Sequence, residues 1–89
     1  MQASHISVYG EVHNIGFRTW AKELAVKLDL SGWVRKASDG SIEILIQGEE
    51  EPITNFIYLC WDGPKMAYVD DVLATESSSD STLIEFKVL

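Results

Sequence analysis

Between Val8 and Phe17 the spacing of apolar residues changes its period, and that switch limits the folds open to the chain. Ile6 and Val8 alternate with Ser7 and Tyr9, the period of two that marks a half-buried strand over roughly Ser4 to Gly10. From Phe17 onward Ala21, Leu24, Ala25 and Leu28 return at three- and four-residue steps. That stripe predicts an amphipathic helix whose outer face carries Lys22, Glu23 and Lys27, with Ser31-Gly32 as its stop. The connection from this strand through the helix is expected to be a right-handed crossover. It sets the glycine-bearing loop where the strand's carboxyl end meets the helix N-terminus.

The remaining segments extend the pattern. "GWVRKA" and "SIEILIQG" read as two strands of a hairpin turned by Ser38-Asp39-Gly40, with Ile42, Ile44 and Ile46 on one face. Glu49 to Pro52 combines acidic residues with an early proline, a helix-start signal. Ile53, Phe56, Ile57 and Cys60 form the stripe that follows, and Asp62-Gly63-Pro64 ends it. Two more strands are expected, over Met66 to Ala74 and Leu83 to Leu89, joined by the polar segment "TESSSDS" at Thr75 to Ser81. Strand, helix, strand, strand, helix, strand, with one strand added at the end, is the order of an α+β fold. It predicts a ferredoxin-like (split βαβ) sandwich, with two helices packed on one face of an antiparallel sheet of four to five strands.

Composition narrows the function classes. A chain of 89 residues has room for one domain with a modest core, so residues 1–89 are read as a single unit. No apolar run approaches the roughly 18 residues of a membrane span, and Met1 to Tyr9 carries no secretory signal. A cytoplasmic location without membrane association is expected. Cys60 is the sole cysteine, which rules out an internal disulfide and a thiolate-rich metal site; it is expected to pack as a small apolar side chain. A net charge of −7 suits no nucleic-acid backbone, and the RNA-binding version of this topology would need a basic sheet face. The charge is uneven, however. Residues 1 to 36 carry Arg18, Lys22, Lys27, Arg35 and Lys36 against Glu11, Glu23 and Asp29, a net +2, and the remainder is −9. An anion, if one binds, belongs in the first forty residues.

The loop "GEVHNIGFR" supplies the chemistry for that. Gly10, Asn14 and Gly16 are the residue types that most readily take left-handed or turn conformations, and successive N–H groups in such a loop converge into an anion site. The following helix adds its own unpaired N–H groups and the positive end of its dipole. Arg18 stands in the first turn, where a guanidinium forks onto two oxygens of a phosphate or carboxylate, although the dipole disfavours a cation there.

Along nearly its whole length the sequence resembles the acylphosphatase family. The resemblance is carried by G-x-V-x-x-x-G-F-R at Gly10 to Arg18, by G-W-V-R at Gly32 to Arg35, by D-G-S-I-E at Asp39 to Glu43, and by Gln47-Gly48 and Gly63-Pro64. It implies hydrolysis of small acyl phosphates to carboxylate and inorganic phosphate by a monomer, without metal or cofactor. It implies further that Val12, His13, Asn14, Ile15, Gly16, Phe17 and Arg18 form the phosphate-binding loop, with Arg18 catalytic. In the family an asparagine after G-W-V-R orients the attacking water. This sequence has Lys36 there.

A protonated lysine offers only donors, whereas an asparagine also accepts. Lys36 is therefore expected to attract the phosphate but not to hold the water, leaving turnover reduced. The alternative is a non-catalytic module of the same fold that binds anions or a protein partner. "HNI" also departs from the family's usual glutamine, glycine and valine. Asn14 is expected to form the turn, and His13 to be a solvated loop residue without a catalytic part. The aromatics Trp20, Trp33, Tyr58, Trp61 and Tyr68 are expected to pack against the core or its edges.

Overall fold

The computed structural model describes residues 1–89, and its elements follow the expected order: β1 (Gln2–Glu11), α1 (Phe17–Lys27), β2 (Ser31–Lys36), β3 (Ile42–Gly48), α2 (Glu50–Cys60), β4 (Tyr68–Ser77) and β5 (Phe86–Val88). The five strands form one sheet in the order β4-β1-β3-β2-β5. β3 lies between β1 and β2 and is antiparallel to both, so β1 and β2 run the same way, as a split βαβ unit requires. Both helices cover one face, α1 over β2 and β5, α2 over β1, β3 and β4.

Alternation decides which side chains meet the helices. Ile6 and Val8 of β1, Val34 of β2, Ile42, Ile44 and Ile46 of β3 and Phe86 of β5 are buried beneath them. Phe17, Ala21 and Ala25 come from α1, and Ile53, Phe56 and Cys60 from α2, to complete one core. Burying one such isoleucine or phenylalanine contributes about 1.5–3 kcal/mol, so the apolar stripes account for most of the drive to fold. Cys60 is fully buried, as its place on the stripe predicts.

Three boundaries differ from the sequence reading. Helix α1 stops at Lys27, and the residue that turns the chain is Asp29, with φ of 59°. Asp29 N–H donates to the Val26 carbonyl at 3.1 Å and Leu30 N–H to the Ala25 carbonyl at 2.8 Å, the paired bonds of a Schellman cap. Ser31 and Gly32, expected as the stop, already belong to β2. Next, β4 continues through Thr75 to Ser77, because its ladder with β1 runs on to Ala3. Strand β5 is shorter than expected and pairs parallel with β2, so the sheet is mixed and not wholly antiparallel.

Gln47 anchors the short connection that leads into β5. This side chain is 1% exposed, and its amide donates to the carbonyls of Asp80 at 2.7 Å and Leu83 at 3.1 Å while accepting from Asp80 N–H at 2.8 Å. It holds the β4–β5 connection against the end of the sheet where β4 finishes. The chain therefore enters β5 from that end and leaves it beside the carboxyl ends of β1 and β2. Tyr58 and Tyr68 are 74% and 72% exposed, not packed: Tyr58 lies opposite the buried stripe of α2, and Tyr68 opens an edge strand.

Candidate active site

Three carboxyl ends meet at one end of the sheet. β1 gives way to the loop at Val12, β2 ends at Lys36, and β5 ends at Val88, all running in the same direction. Between them lies a hollow of about 180 Å³ lined by Val12, His13, Asn14, Gly16, Phe17, Arg18, Thr19, Lys36 and Val88. Of the residues expected in the loop, all but Ile15 line it; Ile15 turns inward and packs against the core.

The backbone of the loop takes the shape its residue types allow. Asn14 has φ of 61° and Gly16 φ of 80°, both left-handed, and Gly16 occupies the cap position of α1. A Cβ at Gly10 would lie 2.2 Å from the Tyr68 carbonyl oxygen, so only glycine lets β1 press against β4 where the register shifts and the loop departs. Trp20 N–H is the first to bond back into the helix, to the Gly16 carbonyl at 2.9 Å. From Val12 to Thr19 no backbone N–H donates to a backbone carbonyl, and no side chain caps the helix. A run of unpaired donors in a loop that lines one hollow, with no acid in the first helical turn, is a ready anion site.

The charges agree with that geometry. Arg18 is half-buried in the first turn of α1, and one of its terminal nitrogens lies 3.5 Å from the main-chain oxygen of Leu89, a long contact. Lys36, exposed at the end of β2, lines the same hollow. No Asp or Glu side chain neutralises either cation, because the chain's two ion pairs, His5–Glu43 and Arg35–Glu43, lie elsewhere. On the uncovered face of the sheet Glu43 accepts from Arg35 Nε and from His5 Nε2, each at 2.5 Å, and Arg35 lies over the Trp33 ring at 5.1 Å. The Arg35 hydrogen bond is the main reason the Glu43 carboxyl is held below the usual range, with His5 adding to it against the cost of burial.

His13 departs from its expected solvated state. Its ring is half-buried, Nε2 donates to the Gly40 carbonyl at 2.6 Å, and Nδ1 is shielded without a partner. Sequence reasoning also missed Thr19 and Val88. Thr19 follows Arg18 in the same helical turn, which was signal enough; Val88 reaches the hollow only because β5 pairs parallel with β2. No group of three or more His, Cys, Asp or Glu side chains is placed to hold a metal ion.

The acylphosphatase family pattern matches residues 4–88. The chain is 36% identical over 80 residues to the acylphosphatase of Alcanivorax borkumensis, covering 90% of this chain and 87% of that one. It is 43% identical over 72 residues to the acylphosphatase of Pseudothermotoga lettingae, covering 81% of each. The crystal structure of acylphosphatase from Bacillus subtilis matches it with a TM-score of 0.94 at 34% identity, over 100% of this chain and 99% of the other. A family match that spans nearly every residue, joined to a backbone so closely shared, makes this chain a member of the acylphosphatase family.

Proposed function

We propose that the chain hydrolyses the carboxyl–phosphate bond of small acyl phosphates, with the phosphate seated in the hollow between α1 and β2. The observation that carries this reading is the run of unpaired N–H groups from Val12 to Thr19, closed off by Arg18. Loop amides and the guanidinium hold the three phosphoryl oxygens and stabilise the charge that shifts among them in the transition state. Water forms the new P–O bond as the acyl oxygen departs with the bonding electrons as carboxylate, and the water's proton passes to the phosphate product or to solvent. A carboxylate leaves readily, so positioning and charge supply most of the catalysis and no cofactor is required.

Lys36 sets the pace in this scheme. It adds a second cation beside the phosphate yet accepts no hydrogen bond from the water, so substrate binds well and turns over slowly. That same residue favours the second reading, an anion-binding module with little or no turnover. The net charge of −7 speaks against nucleic-acid partners, the unpaired Cys60 suits a reducing cytoplasm, and likeness to the family supports a monomer.

Steady-state hydrolysis of benzoyl phosphate, with Arg18→Ala as control, tests the proposal. Activity above the spontaneous rate that falls by about 10²-fold or more in the Arg18 variant supports the enzyme. Phosphate binding without turnover in the unaltered chain favours the binding module instead.

A further inference from the structure

We propose that His13 is a positioning residue of this site, tying the phosphate-binding loop to the β2–β3 turn through its bond to Gly40. The proposal rests on the reading of the hollow as a phosphate site. A carbonyl oxygen only accepts, so Nε2 of His13 carries the proton shared with Gly40 at 2.6 Å. Nδ1 is then left shielded with nothing to bond, a condition the ring would escape by swinging into water. It stays because the tie to Gly40, with the packing around the ring, outweighs the unpaired nitrogen.

The two ends of this tie differ in stiffness. On the Gly40 side the turn is braced: Asp39 accepts from Ser41 N–H at 3.0 Å and from the Ser41 hydroxyl at 2.6 Å. Ala37 N–H donates to the Ser41 carbonyl at 2.9 Å, and Gly40 N–H to the Ala37 carbonyl at 3.2 Å. On the loop side, the backbone from Val12 to Ile15 makes no backbone hydrogen bond at all. Its donors are free for a ligand, so nothing polar within the protein fastens it except His13. The turn that receives the ring also continues directly from Lys36, so one bond joins the two walls of the hollow. Its effect is to hold the loop amides converged before the anion arrives, which lowers the ordering cost of binding.

The test measures inorganic phosphate affinity by calorimetry, and KM and kcat for benzoyl phosphate, in the unaltered chain and in His13→Ala, His13→Phe, His13→Gln and Arg18→Ala. The expected result is a rise of roughly three- to tenfold in phosphate Kd and in KM for His13→Ala, with kcat changing less than KM. His13→Phe keeps the ring's volume without the N–H and is expected to match the alanine variant, which guards against a variant that merely fails to fold. His13→Gln, whose amide is a donor at similar reach, is expected to recover most of the affinity. Unchanged Kd and KM in a folded His13→Phe, or a glutamine variant no better than phenylalanine, overturns the proposal. If phosphate binding is lost in Arg18→Ala but kept in the His13 variants, only the role of His13 falls. If the unaltered chain binds no phosphate, the phosphate-site reading falls and takes this inference with it.

Discussion

Arg18, in the first turn of α1, and Lys36, the last residue of β2, line one hollow with no Asp or Glu side chain paired to either. Two cations without an Asp or Glu partner, beside a run of unpaired N–H groups, concentrate positive potential in a chain whose net charge is −7. Phosphate affinity in such a site is expected to weaken as ionic strength rises.

Replacing Lys36 by asparagine supplies the acceptor that the ammonium lacks. Lys36→Asn is expected to raise kcat on benzoyl phosphate by about 10²- to 10⁴-fold, the scale of a positioned catalytic group. Phosphate affinity should fall modestly in the same variant, since a cation has been removed. An unchanged kcat would show that water orientation is not limiting.

Gln47 carries a structural prediction that is separate from the site. Truncation to alanine strips the partners from the Asp80 N–H and from the Asp80 and Leu83 carbonyls at the end of the sheet. Gln47→Ala is expected to lower unfolding free energy by about 2–3 kcal/mol, read from urea denaturation. Because that connection delivers β5, proteolysis within residues 78–85 should also quicken.

The Arg35–Glu43–His5 network predicts how stability responds to acid. Glu43 titrates below its unfolded value, chiefly through the Arg35 hydrogen bond and then through His5. Its contribution is therefore present above the unfolded carboxylate value of about 4.3 and is lost as pH falls through the lower folded value. The melting temperature is expected to drop below about pH 4.3, and Glu43→Gln should flatten that part of the profile. The pair with Arg35 is half in solvent, so the variant should cost only about 1 kcal/mol at pH 7.

Cys60 is expected to be inert in the folded protein. Burial pushes its thiol up to about 12, leaving almost no thiolate at neutral pH. Reaction with a thiol reagent at pH 8 should proceed only as fast as the chain unfolds. Rapid labelling in the native state would contradict the buried position.

The pattern of apolar residues by itself determined the order of elements, the faces of β3, α1 and α2, and the place of the glycine loop. Period two and period 3.6 leave marks that need no knowledge of what lies opposite. Residue types likewise marked Asn14 and Gly16 as left-handed positions, since local sterics decide that choice. What tertiary structure alone decided depends on partners distant in sequence. The parallel pairing of β5, and with it Val88 in the hollow, comes with a short β4–β5 connection that Gln47 grips from more than thirty residues away. The half-buried position of His13 depends on the Gly40 carbonyl, 27 residues on. A single hydrogen bond between such residues leaves no periodic trace in the chain, because its energy arises only once the sheet has brought the two together.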